Sequence, residues 1–244
     1  MGFSLSKKSG MLFGLAASIV LTAAASAGPA QLQITNDHAW DQNTIGGTGG
    51  PFEARPINQG AVEGLGQNGA QAGTYLSFCV EFNEPIGQRT YNAVQNTASI
   101  NGGVGGGNPD PLDARTAFLF TAFLKGNLAT KLADAGLEAF TYGDAASGIA
   151  LQDAIWVIEE EIDAGDVTSQ LATDILALAD TAVASGGEWF GKGIGSVRVL
   201  NMTDTKDGSA KQDQLILIPL PMTAMLGLVG LIGVGYITRR RMMA

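Results

Sequence analysis

The order of apolar and polar positions predicts a chain with strands towards its two ends and helices in between. Residues 74–82, TYLSFCVEF, are rich in aromatic and β-branched side chains, which is the composition of a strand. Further strands are predicted over residues 31–35, 196–201 and 214–218. Alternation along residues 74–82 predicts two faces of this strand. One face has Tyr75, Ser77, Cys79 and Glu81, and the other has Leu76, Phe78, Val80 and Phe82.

Helical spacing of apolar residues marks the middle of the chain. It predicts helices over residues 113–124, 146–164 and 167–185. Gln152 lies at the edge of the apolar stripe of the second helix, next to Trp156, which is an unusual place for an uncharged amide without a partner. That stripe consists of Leu151, Ile155, Ile158 and Ile162, and the residues expected to face water are Glu159, Glu160 and Glu161.

These elements together favour one α+β domain. Strands at the two ends around a helical middle predict a β-strand-rich domain with a helical insertion. Two Gly-rich segments are expected at the surface: residues 44–73 as loops and short strands, and residues 101–111 as a loop. The two ends of the chain have a different character.

The first 27 residues have the layout of a secretory signal peptide. Lys7 and Lys8 form a charged start, and residues 11–24 form an uncharged apolar stretch. Residues 25–27, Ala-Ser-Ala, match the small-x-small pattern of a cleavage site. We expect cleavage before Gly28, which leaves an exported domain over residues 28–213.

The last residues, 214–244, have the layout of a membrane-inserted tail. Residues 222–238 contain no charge, and with residues 215–221 the apolar stretch is long enough to cross a bilayer as a C-terminal transmembrane helix. Three basic residues follow at once: Arg239, Arg240 and Arg241. Basic residues stay on the cytoplasmic side, so the body is expected beyond the inner membrane, anchored through this helix.

The tail resembles the PEP-CTERM class of sorting signals, in its VPLPA variant. Ile218, Pro219, Leu220 and Pro221 stand in the motif position, although Ile218 and Met222 depart from the usual residues. The resemblance implies an exosortase-type membrane enzyme that cuts near the motif and passes the protein to the cell surface or extracellular matrix of a Gram-negative bacterium. Such bacteria usually also make exopolysaccharide. The alternative is a plain anchor that stays uncut.

Net charge excludes one class of partner. All 23 acidic residues lie within residues 28–213 with nine of the 14 basic ones, so this part carries a charge of −14. Nucleic acid and anionic membrane surfaces require a basic face, so this charge argues against both as partners of the domain. His38, the only histidine, is expected at the surface, so no His-based triad, metal cluster or cofactor site is predicted. The acidic segment with Asp204, Asp207 and Asp213 lacks the ligand pattern of a calcium loop.

Cys79 is the only cysteine of the chain, which is unusual for an exported protein. An unpaired thiol in an oxidising compartment is expected to be buried, paired between chains or chemically used. Residue types alone leave these possibilities open.

The cysteine segment FCVE (residues 78–81) and the helical segment LQDAIW (residues 151–156) resemble the two halves of the thioester domain of bacterial surface adhesins. The similarity covers roughly residues 74–165. It implies a covalent bond between Cys79 and Gln152, for which Tyr75, Phe78 and Trp156 would exclude water. A target amine or sugar hydroxyl then takes the acyl group, so the domain acts once and is not a turnover enzyme.

Other interpretations remain at this point. Cys79 is also consistent with an ordinary buried thiol, with an intermolecular disulfide, or with a thioester-type fold that makes no bond. The alternative function is a non-covalent structural surface protein with the same tail, whose acidic surface binds exopolysaccharide through cations. A hydrolytic enzyme is third, since no carboxylate pair has a distinctive spacing.

Overall fold

A computed structural model of the chain describes residues 30–36, 40, 50–58, 74–100 and 103–218. The expected signal peptide, His38 and the tail from Pro219 onwards, with Leu220, Pro221 and the three terminal arginines, lie outside these residues. Among the residues that are described, no helix has both the length and the apolar character needed to cross a bilayer.

Eight strands and four helices make up the described chain. In chain order they are β1 (Ala30–Asn36), β2 (Phe52–Asn58), β3 (Tyr75–Ser77), β4 (Thr90–Asn96), β5 (Ala98–Ser99), β6 (Asp110–Pro111), α1 (Ala114–Leu124), α2 (Leu128–Asp134), α3 (Ala145–Ile158), α4 (Gln170–Val183), β7 (Val197–Asp204) and β8 (Ala210–Leu217). All four helices lie between β6 and β7, so the α+β class expected from the sequence is confirmed.

Six of the strands form one antiparallel sheet, in the order β3-β2-β1-β4-β7-β8, and β5 and β6 form a separate pair. The sheet curls until its two edges meet. Cys79, just after β3, pairs with Gln214 of β8, and the Val80 N–H donates to the Asp213 carbonyl at 3.1 Å. Joining the edges in this way leaves fewer backbone groups unpaired. Strand β8 continues across the expected domain boundary at residue 214, as far as Leu217.

Three of the four helices, α1, α3 and α4, begin where a side chain caps the first turn, whereas α2 has no side-chain cap. Asp113 accepts a hydrogen bond from the Arg115 N–H, Asp144 from the Ser147 N–H, and Ser169 from the Ala172 N–H. Each cap satisfies one of the backbone donors that the first turn of a helix leaves free. Helix α2 was not predicted, because seven residues are too few to establish a helical period.

Two apolar cores lie on the two sides of the sheet. The segment around Cys79 contributes to both, as its alternation predicts: Phe78 and Val80 pack with the helices, whereas Tyr75 and Cys79 belong to a cluster with residues from all six strands. Phe82 differs from the prediction, because half of its surface is exposed. The predicted alternation between the two faces therefore holds as far as Val80.

The acidic run that follows α3 is not a solvated helix face. The helix ends at Ile158, several residues earlier than predicted, and Glu160 has a positive φ of 62° that turns the chain. As a result Glu159 and Glu161 are each only 3% exposed, so the expectation that they face water is wrong. The Glu161 carboxylate accepts backbone hydrogen bonds from Phe82 and Val104, both at 2.9 Å.

We expect Glu159→Gln to flatten the pH dependence of stability. Burial, followed by the charges of Asp110 and Asp113, raises the pKa of Glu159 from 4.5 to about 8. Between these values the unfolded chain has lost the proton and the folded chain keeps it, so the free energy of unfolding falls as pH rises. Glutamine does not ionise and removes this loss, which is on the order of 5 kcal/mol once the pH exceeds both pKa values, at about 1.4 kcal/mol per pKa unit.

Urea unfolding at several pH values between about 5 and 9 measures this difference, which is expected to grow with pH. Glu160→Gln is the matched control, since Glu160 is exposed and adjacent. Parallel stability curves for the wild type and Glu159→Gln would show that Glu159 titrates normally in the folded protein.

Candidate functional site

Cys79 and Gln152 lie in contact, although 73 residues separate them in the chain. Cys79 stands in the segment that joins the two edges of the sheet, and Gln152 projects from the middle of α3. The distance between Cys79 Sγ and Gln152 Oε1 is 3.2 Å, and both side chains have an exposed fraction of 0%. The structure thus places the thiol and the carboxamide side by side, out of reach of bulk water.

Backbone groups on both sides hold the Gln152 carboxamide in one orientation. Its Oε1 accepts hydrogen bonds from the Cys79 N–H at 3.1 Å and from the Gly50 N–H at 3.4 Å. Its Nε2 donates to the Cys79 carbonyl at 2.9 Å. Because donors surround one end of the amide and an acceptor meets the other, these contacts assign the oxygen and the nitrogen without ambiguity.

Two glycines allow this close approach. A Cβ atom on Gly50 would lie 3.3 Å from Gln152 Oε1 and 3.0 Å from the Phe78 ring. A Cβ atom on Gly148, one turn before Gln152, would lie only 2.8 Å from Cδ of Pro51. Hydrogen atoms at both positions let α3 come close enough to the segment before β2 for the Gly50 N–H to reach the carboxamide.

The thiol of Cys79 is neutral in this environment. Burial is the main cause that raises its pKa well above the usual range, its own backbone hydrogen bond lowers it, and the charge of Glu81 raises it further. A neutral thiol is a weak nucleophile, so the reactivity of this sulfur depends on its position rather than on a stable thiolate. The Cys79 Sγ atom is within hydrogen-bond distance of Gln152 Oε1, which is the oxygen of the carbonyl group.

The three residues expected to exclude water are all buried around this pair. Phe78 is 0% exposed, and its ring contacts the Phe123 ring edge-on, with 5.0 Å between centroids. Tyr75 and Trp156 belong to the same apolar cluster as Cys79, each 3% exposed. The Trp156 ring packs at 5.0 Å against the half-exposed ring of Phe82, which covers it on the outside.

Two residues near the site were not predicted from the sequence, Gly50 and Gln214. Gly50 lies in a Gly-rich segment that gives no indication of which glycine meets the helix. Gln214 is fully buried opposite Cys79, and within the described ranges neither of its amide atoms has a hydrogen-bond partner. A predicted strand does not reveal its cross-strand neighbours, so this second carboxamide could only be located in the fold.

The carboxylates of the β7–β8 region have structural partners. Asp204 pairs with Arg89 at 3.2 Å, and the buried Asp213 accepts hydrogen bonds from the Asn201 side chain and the Met202 N–H. Among the described residues, no group of three or more His, Cys, Asp or Glu side chains is arranged to hold a metal ion.

The arrangement contains the parts needed for acyl transfer. In such a reaction a thiol, here that of Cys79, would be the nucleophile, and a carboxamide carbonyl, here that of Gln152, would be the group attacked. The N–H groups of Cys79 and Gly50 point at the oxygen on which negative charge develops when a nucleophile adds to that carbonyl. Their distances in the resting state are long for an oxyanion hole and are expected to shorten as the charge develops.

No family model, no curated protein and no solved structure matches this chain.

Proposed function

We propose that this chain is an exported surface protein whose α+β domain forms an internal thioester between Cys79 and Gln152. Its function is covalent adhesion to a surface nucleophile. The observation that supports this proposal is the 3.2 Å contact between Cys79 Sγ and Gln152 Oε1 in a fully buried site.

The first step joins the two side chains. The Cys79 sulfur adds to the Gln152 carbonyl carbon, the carbon–sulfur bond forms, and the bond from that carbon to Nε2 breaks. The thiol proton leaves on the amide nitrogen, which departs as ammonia. Thiols do not normally attack amides, but reactants held in near-attack geometry gain an effective molarity equivalent to about 7–11 kcal/mol of the barrier.

The second step transfers the acyl group to a target. An amine or a sugar hydroxyl attacks the thioester carbonyl, the new bond to nitrogen or oxygen forms, and the carbon–sulfur bond breaks. Cys79 regains its proton as a free thiol, and Gln152 remains attached to the target through its side-chain carbonyl. The bond is used once, so the protein is not a turnover enzyme.

Water would destroy the thioester by the same reaction. The burial of Cys79 and Gln152 at 0% exposure supports a long-lived bond, because water has no direct access to the carbonyl. Trp156 lies one helical turn after Gln152 and is covered by Phe82, so movement of these two rings is the proposed way in for a nucleophile.

Localisation follows from the two ends of the sequence. We propose export through the signal peptide and anchoring in the inner membrane through the tail that follows β8, residues 218–244. An exosortase-type enzyme acting at Pro219, Leu220 and Pro221 would then pass the protein to the cell surface or matrix. The acidic domain, with a charge of −14, stays soluble there and avoids anionic membranes.

Intact mass spectrometry of the freshly purified, folded chain tests the proposal. We expect the mass to be lower than that of the processed sequence by one ammonia molecule. Incubation with methylamine should then add one methylamine and release one thiol that reacts with iodoacetamide. A native mass equal to that of the sequence, with a free thiol before any treatment, would refute the thioester and leave the non-covalent surface protein.

A further inference from the structure

A small cavity that shares no residue with the Cys79–Gln152 site lies between α1, α2 and the turn after α4. Its volume is about 120 Å³, enough for a charged group and part of a ring. Phe118, Thr121 and Ala122 of α1 line it and are buried, whereas Lys125 and Lys192 at its edge are exposed. The cavity is therefore open to solvent on one side and closed by the helix on the other.

Positive charge is concentrated around this cavity. Residues 28–213 contain five lysines, and three of them line it: Lys125, Lys131 and Lys192. The carboxylate of Glu188, which also lines it, is bound to Lys131 at 2.6 Å. In the part of the chain that the structure describes, neither Lys125 nor Lys192 has a carboxylate within salt-bridge distance. In a domain with a charge of −14, this local excess attracts an anion.

Two polar atoms in the cavity wall lack partners. Thr121 is 6% exposed, and among the residues described neither its Oγ1 nor the Oδ1 atom of Asn127 has a hydrogen-bond partner. Buried polar atoms of folded proteins are nearly always hydrogen-bonded. The amide oxygen accepts only, and the hydroxyl both accepts and donates, so a fitting ligand brings hydroxyl groups as well as a negative charge.

Aromatic rings form the remaining wall. The rings of Phe118 and Trp189 lie 5.9 Å apart, with the Lys131 ammonium 5.7 Å from the first and the Lys192 ammonium 5.1 Å from the second. The Trp189 indole N–H donates to the Gly193 carbonyl at 2.7 Å, which fixes the ring. A fixed aromatic surface next to exposed cations suits a ligand with one apolar face and one anionic group.

We propose that this cavity binds a carboxylate-bearing sugar, that is, a uronic acid residue presented by a polysaccharide. Lys125 and Lys192 would bind the carboxylate, Thr121 and Asn127 would bind ring hydroxyls, and Trp189 would contact the apolar ring face. This contact is direct and non-covalent, and it does not depend on the thioester. The site brings an acidic polysaccharide to the domain whether or not Gln152 reacts with it.

Isothermal titration of the full chain with glucuronate, with glucose as the neutral control, tests this inference at low ionic strength. We expect glucuronate to bind and glucose to show no measurable heat, because only the former carries the carboxylate. The double variant Lys125→Gln/Lys192→Gln should weaken glucuronate binding about tenfold, since exposed ion pairs are individually modest. Affinity should also fall as salt is added.

A double variant with the same change in charge elsewhere, Lys206→Gln/Lys211→Gln, is the control and should bind as the wild type does. Thr121→Val removes the hydroxyl without a change in charge and should also weaken binding. Equal affinity in the cavity and control variants would overturn the inference. Tighter binding of inorganic sulfate or of a hexaglutamate peptide to the cavity than of glucuronate would also overturn the inference. The mass deficit of one ammonia is measured on the same variants. A loss of glucuronate binding can then be distinguished from a failure to form the thioester.

Discussion

Replacing Cys79 with alanine is expected to restore the full sequence mass and to abolish all covalent capture of methylamine. Among the described residues, the other groups in hydrogen-bond contact with the Gln152 carboxamide oxygen are backbone N–H donors, so none of them can replace the sulfur as a nucleophile. The effect should be complete rather than partial, since the chain contains no second cysteine. Intact mass spectrometry before and after incubation with methylamine measures both quantities.

Loss of folding would give the same mass result, so stability must be measured alongside it. Compared with the chain before its thioester forms, Cys79→Ala removes one buried sulfur atom, which is expected to cost about 1 kcal/mol, comparable to the loss of a buried methylene group. Cys79→Ser keeps a polar atom at the same position and serves as a second variant, since a hydroxyl is a far weaker nucleophile here. A mass deficit that survives in folded Cys79→Ala would show that the ammonia is lost elsewhere in the chain.

Gln152→Glu is the second substitution with a large expected effect. A carboxyl group has no ammonia to release, so the mass of this variant should equal that of its own sequence, and methylamine should not be incorporated. In the chain without a thioester, Gln152 Nε2 donates to the Cys79 carbonyl at 2.9 Å, and glutamate lacks this amide donor. An acceptor left buried without its partner costs about 1–3 kcal/mol, so in the Cys79→Ala background, where no thioester forms, Gln152→Glu should lower the free energy of unfolding by this amount.

Gln214→Met is the matched control for Gln152→Glu. Gln214 is the other fully buried carboxamide next to Cys79, on the opposite strand, and methionine has a similar size. The structure gives a sulfur contact only to Gln152 among the described residues, so Gln214→Met should keep the mass deficit and the reaction with methylamine. If Gln214→Met loses the deficit while Gln152→Glu retains it, the acyl group comes from Gln214 and the assignment to Gln152 is wrong.

Several parts of this fold could be predicted because their signals are local. Helices α1, α3 and α4 follow from apolar spacing, and strands β7 and β8 were expected within a few residues of their observed ends. The two faces of the segment around Cys79 follow from alternation alone. These features depend on neighbours a few positions apart, which is the range over which a sequence pattern carries information.

Other parts could not be predicted because they depend on distant contacts. Strand β4 has a mixed polar sequence, TYNAVQN, and becomes a central strand only because β1 and β7 pair with its two sides. Glu159 was expected at the surface, yet it is buried where the end of α3 meets the start of α1. The three lysines of the cavity come from α1, α2 and the turn after α4, and nothing in their spacing indicates that they meet.

For Cys79 and Gln152, too, some features could be predicted from the sequence and others depend on the fold. Residue types and their local context marked Cys79 and Gln152 as unusual, because a lone thiol in a predicted strand and an amide beside an apolar helix face both require an explanation. Their pairing was expected only from the resemblance to thioester domains. Their distance, the two N–H groups at the carbonyl oxygen and the exclusion of water come from the curling of the sheet and the packing of α3 against Gly50. A covalent bond is sensitive to fractions of an ångström, and only packing across the whole domain sets positions to that accuracy.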